Sequence, residues 1–212
     1  QYAGNYVLRF APGENEGTAR WNPLEEVRLG TPKETGDIRN ITEIVIDPLG
    51  KGLDDFWTNS GANLLEACIT HVIYKGLREN LPANLKIVAN MLTGMDPYDP
   101  NAPTKTLEEI FTEMGSYGHY EDGRVHELVA SQAAEMINKP ENERGSVIST
   151  MMSTLGIYRD PVVAKNTEKS DFKLNDLMNA DRPCSCFLVT TPDNKDRLRP
   201  LLQLFVSLMV KT

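Results

Sequence analysis

Histidines, arginines and a run of carboxylates are the side chains with which this chain could do chemistry. His71, His119 and His126 are its only histidines. His119 and His126 stand seven apart, with Glu121, Asp122 and Glu127 close by, and imidazole beside carboxylate is the material of zinc sites. No ligand spacing such as HExxH accompanies them. No metal site is therefore expected, and the stretch reads as a solvated acidic loop. His71 falls inside a predicted helix and reads as a core or edge residue. Arg197 and Arg199 follow a predicted strand, in DRLRP. Ligands of α/β proteins bind beyond the carboxyl ends of sheet strands, so an arginine there could reach a phosphate in its own or a neighbouring subunit. A salt bridge to Asp193 or Asp196 accounts for the same residues equally well.

The carboxylates are concentrated. Residues 107–143 hold nine acidic residues against two basic ones. Glu108, Glu109, Glu113, Glu121, Asp122 and Glu127 lead that run. They form either a solvated helical face or an acidic docking surface that steers a basic protein partner toward it. Adjacent pairs such as Glu108-Glu109 point to different sides of a helix and make no general acid–base couple. Other chemistry is missing. No GxxxxGK[ST] phosphate loop is present, nor an apolar strand ending in Asp-Glu to hold Mg²⁺. The serines at 146 and 149 lack the second glycine of a nucleophile elbow.

The elements that must position these groups begin and end with strands. Tyr6–Phe10 (YVLRF) predicts a short strand, closed by Ala-Pro-Gly at 11–13. Cys184–Thr190 predicts a second, apolar on both faces, as in the centre of a helix-covered parallel sheet. From Lys195 an apolar helix carries Leu198, Leu201, Leu202, Leu204, Phe205, Leu208 and Met209. That surface is too broad for one thin layer, so exposed apolar area is expected between Leu198 and Met209. Between the strands the pattern is helical. Apolar spacing predicts helices at Thr35–Asp47, stopped by Pro48, and at Leu53–Lys75, stopped by Gly76. Further helices are predicted at Asn84–Leu92, from the Thr106–Glu109 capping box to Met114, and at Arg124–Asn138, Glu141–Tyr158 and Phe172–Asn179. Trp21, before Pro23, is expected to dock on the core. Two strands so far apart, with helices between, predict a helical domain inserted into an α/β domain.

Composition sets outer bounds. With 212 residues, 40% hydrophobic and 25% charged, the chain can bury a real core. A net charge of −8 argues against broad non-specific binding to nucleic acid, though not against a local basic strip. Three cysteines are too few for a disulfide framework and suit a reducing compartment. The first residue is Gln1 and the last predicted helix is unfinished, so the chain reads as an excised piece of a larger protein.

In order along the chain stand VLRFAP at 7–12, ARWNPL at 19–24, Phe56-Trp57 with Leu64-Leu65, ERGSVIST at 143–150, YRDPVVA at 158–164, TEKSDF at 167–172 and DNKDRLRPLL at 193–202. With this ordered set the whole chain resembles the TraG/TraD-type coupling proteins of conjugation and type IV secretion. The resemblance implies a mainly α fold: an all-helical domain, 35–140, inserted into a partial α/β, RecA-like P-loop ATPase domain whose pieces are 1–34 and 141–212. It implies the cytoplasmic portion of a bacterial protein anchored in the inner membrane, a homo-hexamer when whole, with ATP and Mg²⁺ as its cofactors. Its partners would be a relaxase or effector protein, single-stranded DNA in the assembled complex, and secretion-channel proteins. The nucleotide-binding lysine and the acidic Mg²⁺ residue have no counterpart here, so no cofactor is expected in this chain and no ATPase activity from it alone. The cargo-docking reading then falls on the acidic run. The alternative is a motor element for hexamer packing and inter-subunit nucleotide sensing, through Arg144, Arg197 or Arg199.

Overall fold

The computed structural model describes residues 4–211. Tyr6–Phe10 (β1) and Cys184–Leu188 (β2) pair in parallel, Tyr6 opposite Cys184 and Phe10 opposite Leu188. Parallel neighbours cannot be joined by a tight turn, and here the crossover is almost the whole chain. Along it run α1 (Glu34–Ile46), α2 (Phe56–Glu79), α3 (Leu85–Met91), α4 (Leu107–Ser116), α5 (Glu127–Asn138), α6 (Glu141–Leu155), α7 (Pro161–Asn166) and α8 (Leu174–Asn179). α9 (Lys195–Lys211) follows β2. The mainly α architecture with a small sheet is as expected.

α2 is the hub. α1, α3, α5 and α6 all pack on it. Its middle is buried on nearly every side, from Leu64 to Ile73, because neighbours surround it rather than flank it. Asp55 opens it by accepting hydrogen bonds from the backbone N–H groups of Trp57 and Thr58. It runs past the expected stop at Gly76. The chain turns only at Asn80, in the left-handed region at φ 54°, and the N–H groups of Asn80 and Leu81 both donate to the Gly76 carbonyl. Gly76 is needed for a different reason: a Cβ there would lie 2.9 Å from the Leu81 carbonyl as the chain folds back. Arg39 fastens α1 to α2 through Glu66, 3.0 Å away and itself buried, while also holding Glu43 at 2.8 Å.

The second packing centre is aromatic. Trp21 is fully buried, with its ring edge-on to Phe205 of α9 at 4.9 Å and to Phe10 of β1 at 6.0 Å; Phe10 and Phe205 stack at 5.2 Å. The Trp21 indole N–H donates to Glu26, which also accepts from the Leu174 N–H. Burial pushes the Glu26 carboxyl above its ordinary range despite these bonds. Trp21 thus docks on the core as expected.

Several expectations change. The broad apolar face of the last helix is covered rather than exposed, and the strands carry exposed apolar residues instead of being buried on both faces. Leu198, Leu201, Leu204, Phe205 and Leu208 of α9 are buried, whereas Tyr6, Val7 and Phe187 are 58, 59 and 55% exposed. α9 turns its apolar side onto β1, α1 and the Trp21 cluster, so only Val206 and Val210 remain outside. β2 ends at Leu188 rather than Thr190, where pairing with β1 runs out. α6 stops at Leu155 and passes into a 3-10 turn, Gly156–Arg159. α7 was not expected, although its signal is in YRDP: Asp160 caps it through the Val162 and Val163 N–H groups, and Pro161 takes the first helical position. No helix among the described residues is long and apolar enough to cross a membrane.

Candidate functional site

α4 and α5 pack on each other, and α5 on α2. The capping box forms as the sequence predicts: Thr106 accepts from the Glu109 N–H, and the Glu109 carboxylate accepts from the Thr106 N–H at 2.7 Å. Glu109 is therefore held by its own helix. Glu113 is also engaged. Lys75 and Lys105 reach it at 2.8 and 2.5 Å. Burial alone would raise its pKa, but the two lysines outweigh burial and hold it at about 2. Asp122 pairs with Arg124 at 2.5 Å.

Glu108, Glu121 and Glu127 are exposed, and among the described residues none of the three has a hydrogen bond or ion pair from another side chain. The acidic run is thus two separate patches. Glu108 stands at the start of α4. Glu121, Asp122 and Glu127 gather in the loop after α4 and at the start of α5, roughly 15 Å away along a ten-residue helix.

The histidine stretch is not a solvated loop. His119 is 1% exposed, and His71 of α2 is 4%. Their rings meet edge to face, His71 Nδ1 lying 3.0 Å from His119 Nε2. The backbone fixes the protons. The His126 N–H donates to His119 Nδ1 at 3.1 Å, so that nitrogen carries no proton. His119 is then protonated on Nε2 and donates to His71 Nδ1, which leaves the His71 proton on Nε2. Tyr117 lies edge-on to both rings and Tyr74 edge-on to His119, Tyr120 packs on Tyr74 and stacks on His126, and Tyr74 donates to Glu34 at 2.7 Å. Burial, reinforced by the neighbouring imidazole, pushes His71 down to about 3 and His119 to about 4. Both are neutral at ordinary pH. Each ring nitrogen of His119 is occupied, and among the described residues no group of three or more His, Cys, Asp or Glu is placed to hold a metal ion. Sequence spacing drew attention to His119 and His126 but not to His71, 48 residues from His119, which completes the cluster.

The three arginines do not converge. Arg197 donates to Asp160 at 2.5 Å and to the Asn194 side chain at 3.1 and 2.9 Å. Its carboxylate partner is Asp160, the cap of α7, and not Asp193 or Asp196. Arg199 is exposed, with no side-chain partner among the described residues. Arg144 is half-buried at the start of α6 and lines an open groove with Leu107, Asn142 and Ser149.

The family model described as type IV secretory system conjugative DNA transfer matches residues 1–212. Two curated proteins, each named conjugal transfer protein TraG, from Escherichia coli, are 46 and 44% identical over 211 residues. The match takes in 100% of this chain and 32% of each of them, so the chain spans about a third of those relatives. Among solved structures, the unbound monoclinic form of the bacterial conjugative coupling protein TrwBdeltaN70 aligns with a TM-score of 0.53 at 15% identity, over 96% of this chain and 39% of that one. Its trigonal form in complex with sulphate gives 0.51 at 15% identity, over 97 and 40%. At that identity the likeness is one of fold.

Proposed function

The chain belongs to the type IV secretory system conjugative DNA-transfer family, and from that premise we propose that it is the cargo-receiving part of a TraG-type coupling protein. In this reading the helices of 35–140 take up a relaxase–DNA complex or an effector protein, and 1–34 and 141–212 join them to the motor. The motor, a hexamer anchored in the inner membrane, uses ATP and Mg²⁺ to pass the cargo to secretion-channel proteins. The nucleotide chemistry is assigned to parts of the protein outside these residues.

The observation that supports this is a set of exposed carboxylates around α4 and α5. Glu108 at the start of α4, Glu121 in the loop after it and Glu127 at the start of α5 have, among the described residues, no hydrogen bond or ion pair from another side chain. Unpaired like charges on a rigid base attract a basic partner and speed its encounter. Glu113 and Glu109, tied down as they are, hold that base together rather than meet cargo. Replacing Glu108, Glu121 and Glu127 together by lysine, in the full-length protein, is expected to lower plasmid transfer between cells by about tenfold or more, since opposed like charges cost several kcal/mol across an interface. Glu108 and Glu127 lie in the first turns of α4 and α5, so the lysines there should also cost about 0.3 to 1 kcal/mol each through the helix dipole, too little to unfold the protein. Transfer at the normal frequency would remove the acidic face from the reading.

A further inference from the structure

The segment that joins α3 to α4 is a compact loop with its ends tied together. The Lys105 N–H donates to the Gly94 carbonyl at 2.8 Å and closes the neck. Gly94, at φ 84°, allows that approach: a Cβ there would lie 2.7 Å from the Lys105 carbonyl oxygen. Asp96 braces the loop, its side chain accepting the N–H groups of Tyr98 and Asp99 at 2.8 and 3.1 Å. Between this loop and α2, α3 and α4 lies a cavity of about 50 Å³. Val72, Met91, Ile110 and Met114 give it apolar walls. Two hydrogen-bond donors in its lining have no acceptor among the described residues. The Tyr98 hydroxyl is buried and unpartnered. His71, 4% exposed, commits Nδ1 to His119, which lies outside the lining, so the Nε2 proton is on the edge left to the cavity.

We infer that this cavity binds a small uncharged molecule through a carbonyl oxygen that accepts from Tyr98 and His71. A buried donor without an acceptor carries its full desolvation cost, and phenylalanine at position 98 would pack there without it. One carbonyl oxygen has two lone pairs and can meet both donors. Both stay donors at ordinary pH: His71 is neutral, and burial pushes the Tyr98 hydroxyl up to about 12. The charged groups in the lining are Lys75, Lys105, Glu113 and Asp96, which cancel, and Glu113 already holds both lysines. That leaves no net charge to favour a carboxylate or an amine. A water-sized group needs roughly 10 to 15 Å³, so the space takes about three or four non-hydrogen atoms. The ligand is therefore a carbonyl on a short apolar body, seated against the two methionines, whose side chains adapt to it. The site is separate from the exposed carboxylates and stands whether or not they receive cargo.

The test is a titration of the full-length protein, with isotope-labelled methionine methyl groups, followed by NMR. The probe is acetone; acetate and isopropylamine match it in size and differ in charge. Acetone is expected to shift the Met91 and Met114 methyl signals saturably, at millimolar concentrations for so small a molecule. Acetate and isopropylamine should need about tenfold more or fail to shift them, since neither charge finds a free partner in the cavity. Tyr98→Phe should weaken acetone binding about three- to tenfold. The same variant should leave the melting temperature unchanged or raised, because the hydroxyl it removes has no partner in the fold. No saturable shift at Met91 and Met114 would overturn the inference, as would acetate or isopropylamine binding as tightly as acetone. Undiminished acetone binding by Tyr98→Phe would overturn it too, and so would a lower melting temperature, which would mean that the hydroxyl serves the fold instead.

Discussion

Replacing Trp21 by alanine is expected to destabilise the protein by about 3 to 5 kcal/mol, the usual cost of emptying a large aromatic from a core. Trp21 sits where β1, α9 and the turn at Pro23–Glu26 meet, packed against Phe10 and Phe205. Alanine would leave a cavity between three elements joined by few other contacts. It would also take the indole donor from Glu26, a carboxylate whose pKa burial already raises. Glu26, half-buried, would keep the Leu174 N–H but lose its side-chain donor, which adds a further cost. Urea unfolding would show this as a lower midpoint at unchanged slope. Trp21→Phe separates the two contributions, because it keeps most of the ring and loses only the donor. It should fall between wild type and alanine. A loss below about 1 kcal/mol for Trp21→Ala would mean that this centre does not hold the sheet to the helices.

The second large effect is acid sensitivity well above the carboxylate range. His71 and His119 are held neutral in the folded state, with pKa values pushed down to about 3 and 4, while the unfolded chain protonates histidine near 6.5. Between those values the unfolded state binds more protons, so stability falls as pH falls. The contribution is complete above about pH 6.5 and is lost progressively toward pH 4. Each histidine gives a slope of about 1.4 kcal/mol per pH unit, so the pair should cost on the order of 4 kcal/mol by pH 5. The depressed carboxylates, Glu113 and Asp37 among them, act in the same direction but only below their unfolded values near 4. His126, also lowered by burial, adds to the slope in this window and Glu26, raised by burial, opposes it, so the pair is read as a difference. Denaturant midpoints measured between pH 6.5 and 5 should slope more steeply for wild type than for His71→Gln/His119→Gln. Equal slopes would contradict the buried neutral pair.

Local signals were legible where one stretch of chain decides the outcome. The Thr106–Glu109 capping box and the strand at Tyr6–Phe10 each depend on neighbours in sequence, whereas α2, expected from Leu53, begins at Phe56 behind the Asp55 cap. The ordered motifs identified the family for the same reason. What escaped depends on partners distant in the chain. The burial of His119 follows from His71 on another helix. The passage of α2 through Gly76 follows from the loop at Leu81 folding back on it. Lys105 is near Glu113 in sequence, yet Lys75, its other partner, comes from α2, so the six-carboxylate face was read as more uniform than it is. The apolar face of α9 could be recognised, but not its occupants, since Phe10 and Trp21 lie nearly two hundred residues away.

The proposal that α4 and α5 receive basic cargo is decided by a binding titration with the protein's cognate relaxase–DNA complex. The account predicts saturable binding at low salt that weakens steeply toward 0.5 M salt, where the Debye length is only a few ångström. It also predicts binding lowered about tenfold or more by joint lysine substitution at Glu108, Glu121 and Glu127. Equal affinity of the wild-type and triple-lysine proteins for the relaxase complex, at every salt concentration, would contradict it.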